Sequence, residues 1–296
     1  MKECLFCHQK TVQFLYPATN RDKTKTGNQF ACTNCGFGRH GTILRCQNCE
    51  MIYVDEKISQ GKISAYYEIA QDPLYLIEQP AREVTFSHYL DKLEKRVSRR
   101  GSLLDIGTNT GLFVYLAKKR GWIAIGLEPN RWGVKFAKKH YNLDLINKSF
   151  NKSVFGNQKF DVITMWDVIE HFTNPVEQLE TVYYYLRPGG VFAFSTVDPN
   201  SLLARAMGNN WSWYMEMHRV FLNKNAARRY LEKVGFKNII FQSHWRYLSL
   251  GYLATRLEAI NAGLARITSK IISAIGLSKV VVPYYANDLF DCYAFK

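Results

Sequence analysis

The sequence predicts an α/β protein built on a mostly parallel sheet, and three observations carry that prediction. The segment from Gly101 to Asn130, GSLLDIGTNTGLFVYLAKKRGWIAIGLEPN, reads in order as strand, glycine turn, helix and strand. The stretch KFDVITMWDVIEH (159–171) carries consecutive apolar residues, as a strand buried on both faces requires. YLRPGGVFAFSTV (185–197) then gives a helix end, a turn and another apolar strand.

In the first unit, Leu103, Leu104, Asp105 and Ile106 form an apolar run broken by one acid, and Gly107 to Gly111 form a turn too tight for most side chains. Leu112 to Arg120 repeat with helical period and end on basic residues. Gly121 stops that helix, and Trp122 to Leu127 read as a second buried strand ending at Glu128. The turn lets backbone approach a ligand, the helix presents free N–H groups, and an acid at the tip of the second strand accepts ribose hydroxyls. Glu128 lies 21 positions after Gly107, close to the roughly 20 expected of a ribose acid. This is an adenosine site. A dinucleotide fingerprint needs glycines near 107, 109 and 112, where this chain has Gly107, Asn109 and Leu112.

Downstream, Val176 to Leu186 read as a helix ended by Pro188-Gly189-Gly190, and AARRYLEKVGFKNIIFQSH (226–244) reads as helix, Gly235 stop and strand. DLFDCYAF (288–295) is the last strand. Between them, about residues 248–287 form a helical insertion whose apolar residues recur at three and four positions, with Arg256, Arg266 and Lys270 interspersed. Such a basic amphipathic segment, centred on 250–275, can pack on its own domain, cover a pocket, or make peripheral contact with a membrane.

Upstream, residues 56–100 read as connecting helices, with breaks at Pro73 and Pro80 and apolar residues at Val84, Leu90, Leu93 and Val97. Residues 1–55 form a cysteine-rich module. Six of the seven cysteines come as C-x-x-C pairs, Cys4/Cys7, Cys32/Cys35 and Cys46/Cys49. Two such pairs complete a tetrahedral zinc site, and three are one too many for a single ion. With no apolar core segment in MKECLFCHQK and no apolar stretch long enough to span a bilayer, we expect a cytoplasmic protein with reduced thiols. The basic residues behind the net charge of +14 are spread along the chain with local clusters at Lys92 to Arg100, Lys118 to Arg120 and Lys135 to Lys139, the last two on expected exposed helix faces. That distribution suits solvated faces better than a nucleic-acid groove, and also fits phosphate-bearing small molecules or anionic membranes. Nothing in the sequence sets an oligomeric state.

The run Asp105-Ile106-Gly107-Thr108-Asn109-Thr110-Gly111 resembles motif I of class I S-adenosylmethionine-dependent methyltransferases, with Asn109 where the middle glycine usually stands. Asn tolerates positive φ better than most residues. The segments at 160–175 and 185–197 fall where that family places its fourth and fifth strands. The resemblance implies a Rossmann-like class I methyltransferase fold over 101–296, with a mostly parallel seven-stranded sheet. It places Gly107, Thr108, Asn109 and Gly111 under the methionine moiety, Glu128 on the ribose, Pro129 and Asn130 beside the adenosine, and Lys148 to Phe150 along the adenine. Asp105 would face the cofactor's amino group, and Trp166 and Asp167 would border the methyl-transfer cavity. In related enzymes a leading helix lies over the cofactor, which puts Tyr66 and Tyr67 within reach.

A subset of these enzymes, including some sugar C-methyltransferases, begins with a zinc-ribbon-like module of two C-x-x-C knuckles. By that resemblance Cys4, Cys7, Cys46 and Cys49 are the zinc ligands, with Cys32, Cys35, His8 and His40 as substitutes. For a general base the family points to His171, just past the fourth strand, and to His218, in the loop WSWYMEMHRVF (211–221); each imidazole can also serve a purely structural hydrogen bond. Trp211, Trp213 and Tyr214 either stack on an acceptor or pack the core. The expected function is methyl transfer to a small molecule, with an activated sugar or cell-surface glycan precursor among the acceptors. The alternatives are an RNA or protein methyltransferase gripping its polymer through the zinc module, and a non-catalytic binding protein.

Overall fold

The computed structural model describes residues 2–19, 33, 38–55, 60–257 and 261–296. The strands are β1 (Val12–Tyr16), β2 (Ile43–Cys46), β3 (Ile52–Val54), β4 (Ser102–Ile106), β5 (Ile123–Leu127), β6 (Phe160–Trp166), β7 (Leu186–Val197), β8 (Val220–Phe221), β9 (Lys237–Ser243), β10 (Arg246–Ser249), β11 (Val281–Tyr284) and β12 (Leu289–Phe295). The helices are α1 (Gln60–Ile69), α2 (Pro73–Ile77), α3 (Gln79–Glu94), α4 (Leu112–Lys119), α5 (Arg131–Tyr141), α6 (Pro175–Tyr185), α7 (Leu202–Met207), α8 (Lys224–Val234), α9 (Leu250–Arg256) and α10 (Ala262–Ala274).

The central sheet has the order β5-β4-β6-β7-β12-β9. Strands β5, β4, β6 and β7 run parallel, and β12 pairs antiparallel with both β7 and β9. Of the seven strands expected, six are present among the described residues. At the β5 edge the seventh place is taken by Ile146, which makes a single parallel bridge to Leu127 and exchanges backbone hydrogen bonds with Gly126 and Glu128. The strand interiors are apolar on both faces, Leu103, Leu104, Val162, Ile163, Phe192 and Ala193 being fully buried, as a covered parallel sheet demands. The Pro188-Gly189-Gly190 segment does more than end α6. It begins β7, and its backbone exchanges hydrogen bonds with Lys296 at the far end of β12.

Pro73 and Pro80 each lie in the first turn of a helix, α2 and α3, where a missing N–H costs nothing. The insertion is a stem and a cap: β10 and β11 pair antiparallel, and α9 and α10 lie between them in sequence. Helix α10 leaves Leu264, Ile267 and Ile271 exposed. Among the described residues no helix is long and apolar enough to cross a membrane.

The cysteine module is built into the rest of the molecule. Its strands form a sheet β1-β2-β3-β8, whose last member comes from beyond the central strands, with Ile52 opposite Phe221 and Tyr53 opposite Val220. Its buried residues Cys4, Met51 and Tyr53 share one core with Leu222, Ala226 and Tyr230.

Candidate functional site

The turn after β4 is shaped by three residues with positive φ: Gly107 at 72°, Asn109 at 53° and Gly111 at 76°. Asn109 thus takes the left-handed conformation that Asn tolerates. At Gly107 a Cβ would lie 2.7 Å from Val168 Cγ2. Only glycine lets the turn pass this close to the exit of β6.

Glu128, at the tip of β5, is buried and receives two backbone donors, Asn109 N at 2.6 Å on Oε2 and Asn130 N at 2.8 Å on Oε1. It therefore ties the glycine turn to the start of α5 while lining a cavity with its carboxyl group. Burial lifts its pKa to about 7, against those two hydrogen bonds. Asp105 lies one layer deeper. It accepts from the Thr164 hydroxyl at 2.7 Å, and burial raises it to about 7 as well.

The cavity runs from Gly107, Asn109, Glu128, Pro129 and Asn130, past Lys148, Ser149 and Phe150, to Asp167, Val168 and His171, with Ser64, Tyr67 and Ala70 of the α1 region closing one wall. Of the residues singled out for the cofactor, Gly107, Asn109, Glu128 and Pro129 line it. Asp105, Thr108 and Gly111 support the turn from behind. Trp166 does not line the cavity: inside the core its ring lies tilted at 4.4 Å from Tyr89 and edge-to-face at 5.5 Å from Phe113. Its position at the end of β6 points it into the helix layer, while the next residue, Asp167 with φ 55°, turns toward the cavity. Trp211 and Tyr214 are likewise core residues.

At the far end, His171 and His218 come together, their rings 4.9 Å apart. His171 lines the cavity, and its Nδ1 contacts the Tyr67 hydroxyl at 2.5 Å and the Met217 carbonyl at 3.1 Å. His218 sits behind it, buried, with Nδ1 on the Trp213 carbonyl at 2.9 Å. Desolvation pushes both pKa values down, so both rings are neutral at physiological pH.

Three groups here were not legible beforehand. Glu170 is buried beside the two histidines, its Oε2 receiving the Thr196 hydroxyl at 3.0 Å, and burial followed by the Asp167 charge raises it to about 8. Arg246 lies 3.5 Å from Asp167. His244, hydrogen-bonded to Asp291 at 2.6 Å and to Tyr89 at 2.9 Å, stands behind that pair. Against burial, the charges of Arg246 and His244 and the Ser195 hydrogen bond hold Asp167 below the usual aspartate range. The sequence placed Arg246 and His244 more than 70 positions from Asp167, with only the odd charge near a strand end as a signal.

The four cysteines Cys4, Cys7, Cys46 and Cys49 converge, their sulfurs all within 4.8 Å of one another. Cys4 and Cys49 are 3.7 Å apart and Cys7 and Cys46 3.5 Å. Tetrahedral Zn–S bonds of about 2.3 Å require sulfurs about 3.8 Å apart, so the donor set fits zinc. His8 is exposed and pairs with Glu3. His40 is buried with its ring on the Gly41 and Asn209 carbonyls, away from the sulfurs. Cys32 and Cys35 lie outside the described residues. Between them, Thr33 N donates to Asp72, which lines the cavity.

A glycine turn, a strand-tip acid and a cavity opening beyond the ends of β4, β5 and β6 define an adenosine-binding α/β enzyme of the methyltransferase kind. The sequence profile described as "Methyltransferase domain" matches residues 79–240. A ubiquinone biosynthesis O-methyltransferase of Coxiella burnetii is 26% identical over 165 residues, 51% of this chain and 67% of that protein. One of Cereibacter sphaeroides is 28% identical over 116 residues, 37% of this chain and 47% of the other. A SAM-dependent methyltransferase from Archaeoglobus fulgidus superposes with a TM-score of 0.51 at 17% identity, covering 76% of this chain and all of that one. The chain belongs to the methyltransferase domain family and is an S-adenosylmethionine-dependent methyltransferase.

Proposed function

We propose that this protein methylates an oxygen of a small hydroxylated molecule, and that the observation carrying this reading is one cavity joining Glu128 at one end to His171 at the other. When bound, S-adenosylmethionine supplies a methyl group on a sulfonium, which leaves as the neutral thioether. Glu128 accepts the ribose hydroxyls, since each of its oxygens has one backbone donor and retains lone pairs toward the cavity. Gly107 and Asn109 bring the backbone against the chain of the ligand. Tyr67, from the α1 region, closes the wall opposite and fixes His171. Held in line, the acceptor oxygen forms its bond to carbon as the sulfur–carbon bond breaks, and its proton leaves on the side of His171 and His218.

The names of the curated relatives favour an oxygen acceptor. Trp211 and Tyr214, which could have stacked on a sugar or an aromatic acceptor, are packed in the core, and Trp213 is partly buried against it, so the reading takes nothing from a stacking platform. We further infer that Cys4, Cys7, Cys46 and Cys49 hold one structural zinc ion. The test is transfer of labelled methyl from S-adenosylmethionine to panels of phenols and catechols, nucleotide sugars, and RNA. Label in the hydroxylated small molecules supports the reading, and label confined to sugars or RNA overturns it. With an accepted substrate, His171→Ala should keep cofactor affinity and lose about two to four orders of magnitude in turnover.

A further inference from the structure

Beside the cavity lies a group of side chains that methyl transfer as described leaves half explained. Glu170, His171 and His218 each place a ligand atom within 4.8 Å of the other two. A buried acid ordinarily has a cation or several donors. Here Arg246 pairs with Asp167 instead, and the Glu170 carboxyl meets the Thr196 hydroxyl. Among the described residues no lysine or arginine forms an ion pair with it.

Both histidines are anchored through Nδ1, and His218 is set in one tautomer. A carbonyl oxygen only accepts, so the bond of His218 Nδ1 to Trp213 O places a proton on that Nδ1, while His171 Nδ1 is held between the Tyr67 hydroxyl and the Met217 carbonyl. That leaves the Nε2 lone pair of His218 available to a ligand. Metal-bound histidines almost always show this arrangement, the far nitrogen donating to a carbonyl or carboxylate while the near one ligates. The supports are rigid: Arg219 N donates to the Glu170 carbonyl at 2.7 Å, and Val54 N to the Arg219 carbonyl at 3.0 Å, so the backbone after His218 is locked between the helical turn of Glu170 and β3.

We propose that Glu170, His171 and His218 form a second metal centre, distinct from the cysteine cluster, that holds one divalent first-row transition cation at the acceptor end of the cavity. Two imidazoles and one carboxylate suit manganese, iron, cobalt or zinc better than a thiolate-seeking ion, and three protein ligands leave positions open. Those positions face the cavity through His171, where an acceptor oxygen would complete the coordination sphere and lose its proton more readily, the proton passing to the Asp167 carboxylate on the same wall and on to water rather than to the ligating rings. The acceptor class this favours carries two adjacent oxygens able to chelate. The inference rests on the methyl-transfer reading for the acceptor's role alone; the binding of the cation stands on the three side chains.

The test is a titration with Mn2+ of protein holding a single zinc per chain, in the cysteine cluster, the free ion followed by electron paramagnetic resonance, in parallel with calorimetric binding of S-adenosylhomocysteine and melting curves. We expect one Mn2+ site per chain, weakened about tenfold or more in Glu170→Gln and in His218→Ala, with zinc content, S-adenosylhomocysteine affinity and melting temperature retained. His218→Asn, whose amide N–H takes the Nδ1 position and keeps a donor toward Trp213 O, serves if the alanine variant fails to fold. Absence of Mn2+ binding by the wild-type protein, or equal affinity in the Glu170 and His218 variants, overturns the proposal. Because Mn2+ binding requires no acceptor, a failed methyl-transfer assay beside a positive titration would fault the acceptor reading and leave the site standing.

Discussion

Glu128→Ala is the perturbation whose size the structure sets most closely. The carboxylate is buried, and each oxygen holds one backbone N–H, at 2.6 and 2.8 Å. Removing it deletes the charge-assisted contacts to the ribose, about 1.5–3 kcal/mol, and frees the tether between Asn109 and Asn130. The loss in affinity should be about 10- to 100-fold. The effect depends on pH with a definite sign. Burial lifts Glu128 to about 7, so the free protein holds it protonated in mild acid, whereas ribose hydroxyls bind the ionised form. Affinity must then rise with pH and level off above 7; below 7 each pH unit costs about 1.4 kcal/mol, or tenfold. Methylthioadenosine is the suitable probe, since it lacks the amino-acid part and has no ionising group of its own between about pH 5 and 8. Calorimetry across that range should give a sloping profile for the wild type and a flat, weaker one for Glu128→Ala. A flat wild-type profile with undiminished binding in the variant would refute the placement of the ribose.

Two further outcomes follow from the same geometry. Cys46→Ser should remove about one zinc per chain by metal analysis, and because β3 pairs with β8 beside His218, hydrogen exchange should rise at Val220 and Phe221 as well as in residues 38–55; full zinc retention would exclude Cys46 as a ligand. Gly133→Ala places a Cβ 2.6 Å from the Asn109 carbonyl oxygen, a backbone atom with no side chain to swing away. Overpacking of about 1–3 kcal/mol outweighs a helix gain of at most about 1 kcal/mol. The melting temperature should drop by a few degrees and S-adenosylhomocysteine should bind more weakly, and an unchanged pair of values would count against close contact between α5 and the glycine turn.

The unit from Leu103 to Glu128 was legible in the sequence because its determinants are local: apolar runs, left-handed glycines and one acid at a fixed spacing. The cysteine pairs were legible for the same reason, and their meeting required only that two knuckles close on each other. What escaped the sequence was what tertiary packing decides. Trp166 and Asp167 are neighbours on one strand exit, and the side facing the cavity depends on the positive φ of Asp167, which no local pattern announces. Trp211 and Tyr214 look like a stacking platform in sequence, yet they fill the space between β8 and α7. Glu170 reads as an ordinary surface acid after a strand; its burial comes from β7, through Thr196, and from the chain after His218. The seventh strand was expected by resemblance, and the segment around Ile146 is held to the sheet edge by one bridge.

The central claim is that one cavity holds the cofactor with its ribose on Glu128 and presents its reactive end to Asp167 and His171. A crystal structure of the protein soaked with S-adenosylhomocysteine tests it most directly. The account predicts both ribose hydroxyls on the Glu128 carboxylate, the adenine beside Lys148 to Phe150, and the sulfur facing the His171 end. Ligand density elsewhere, or with the adenine at the His171 end, would contradict it.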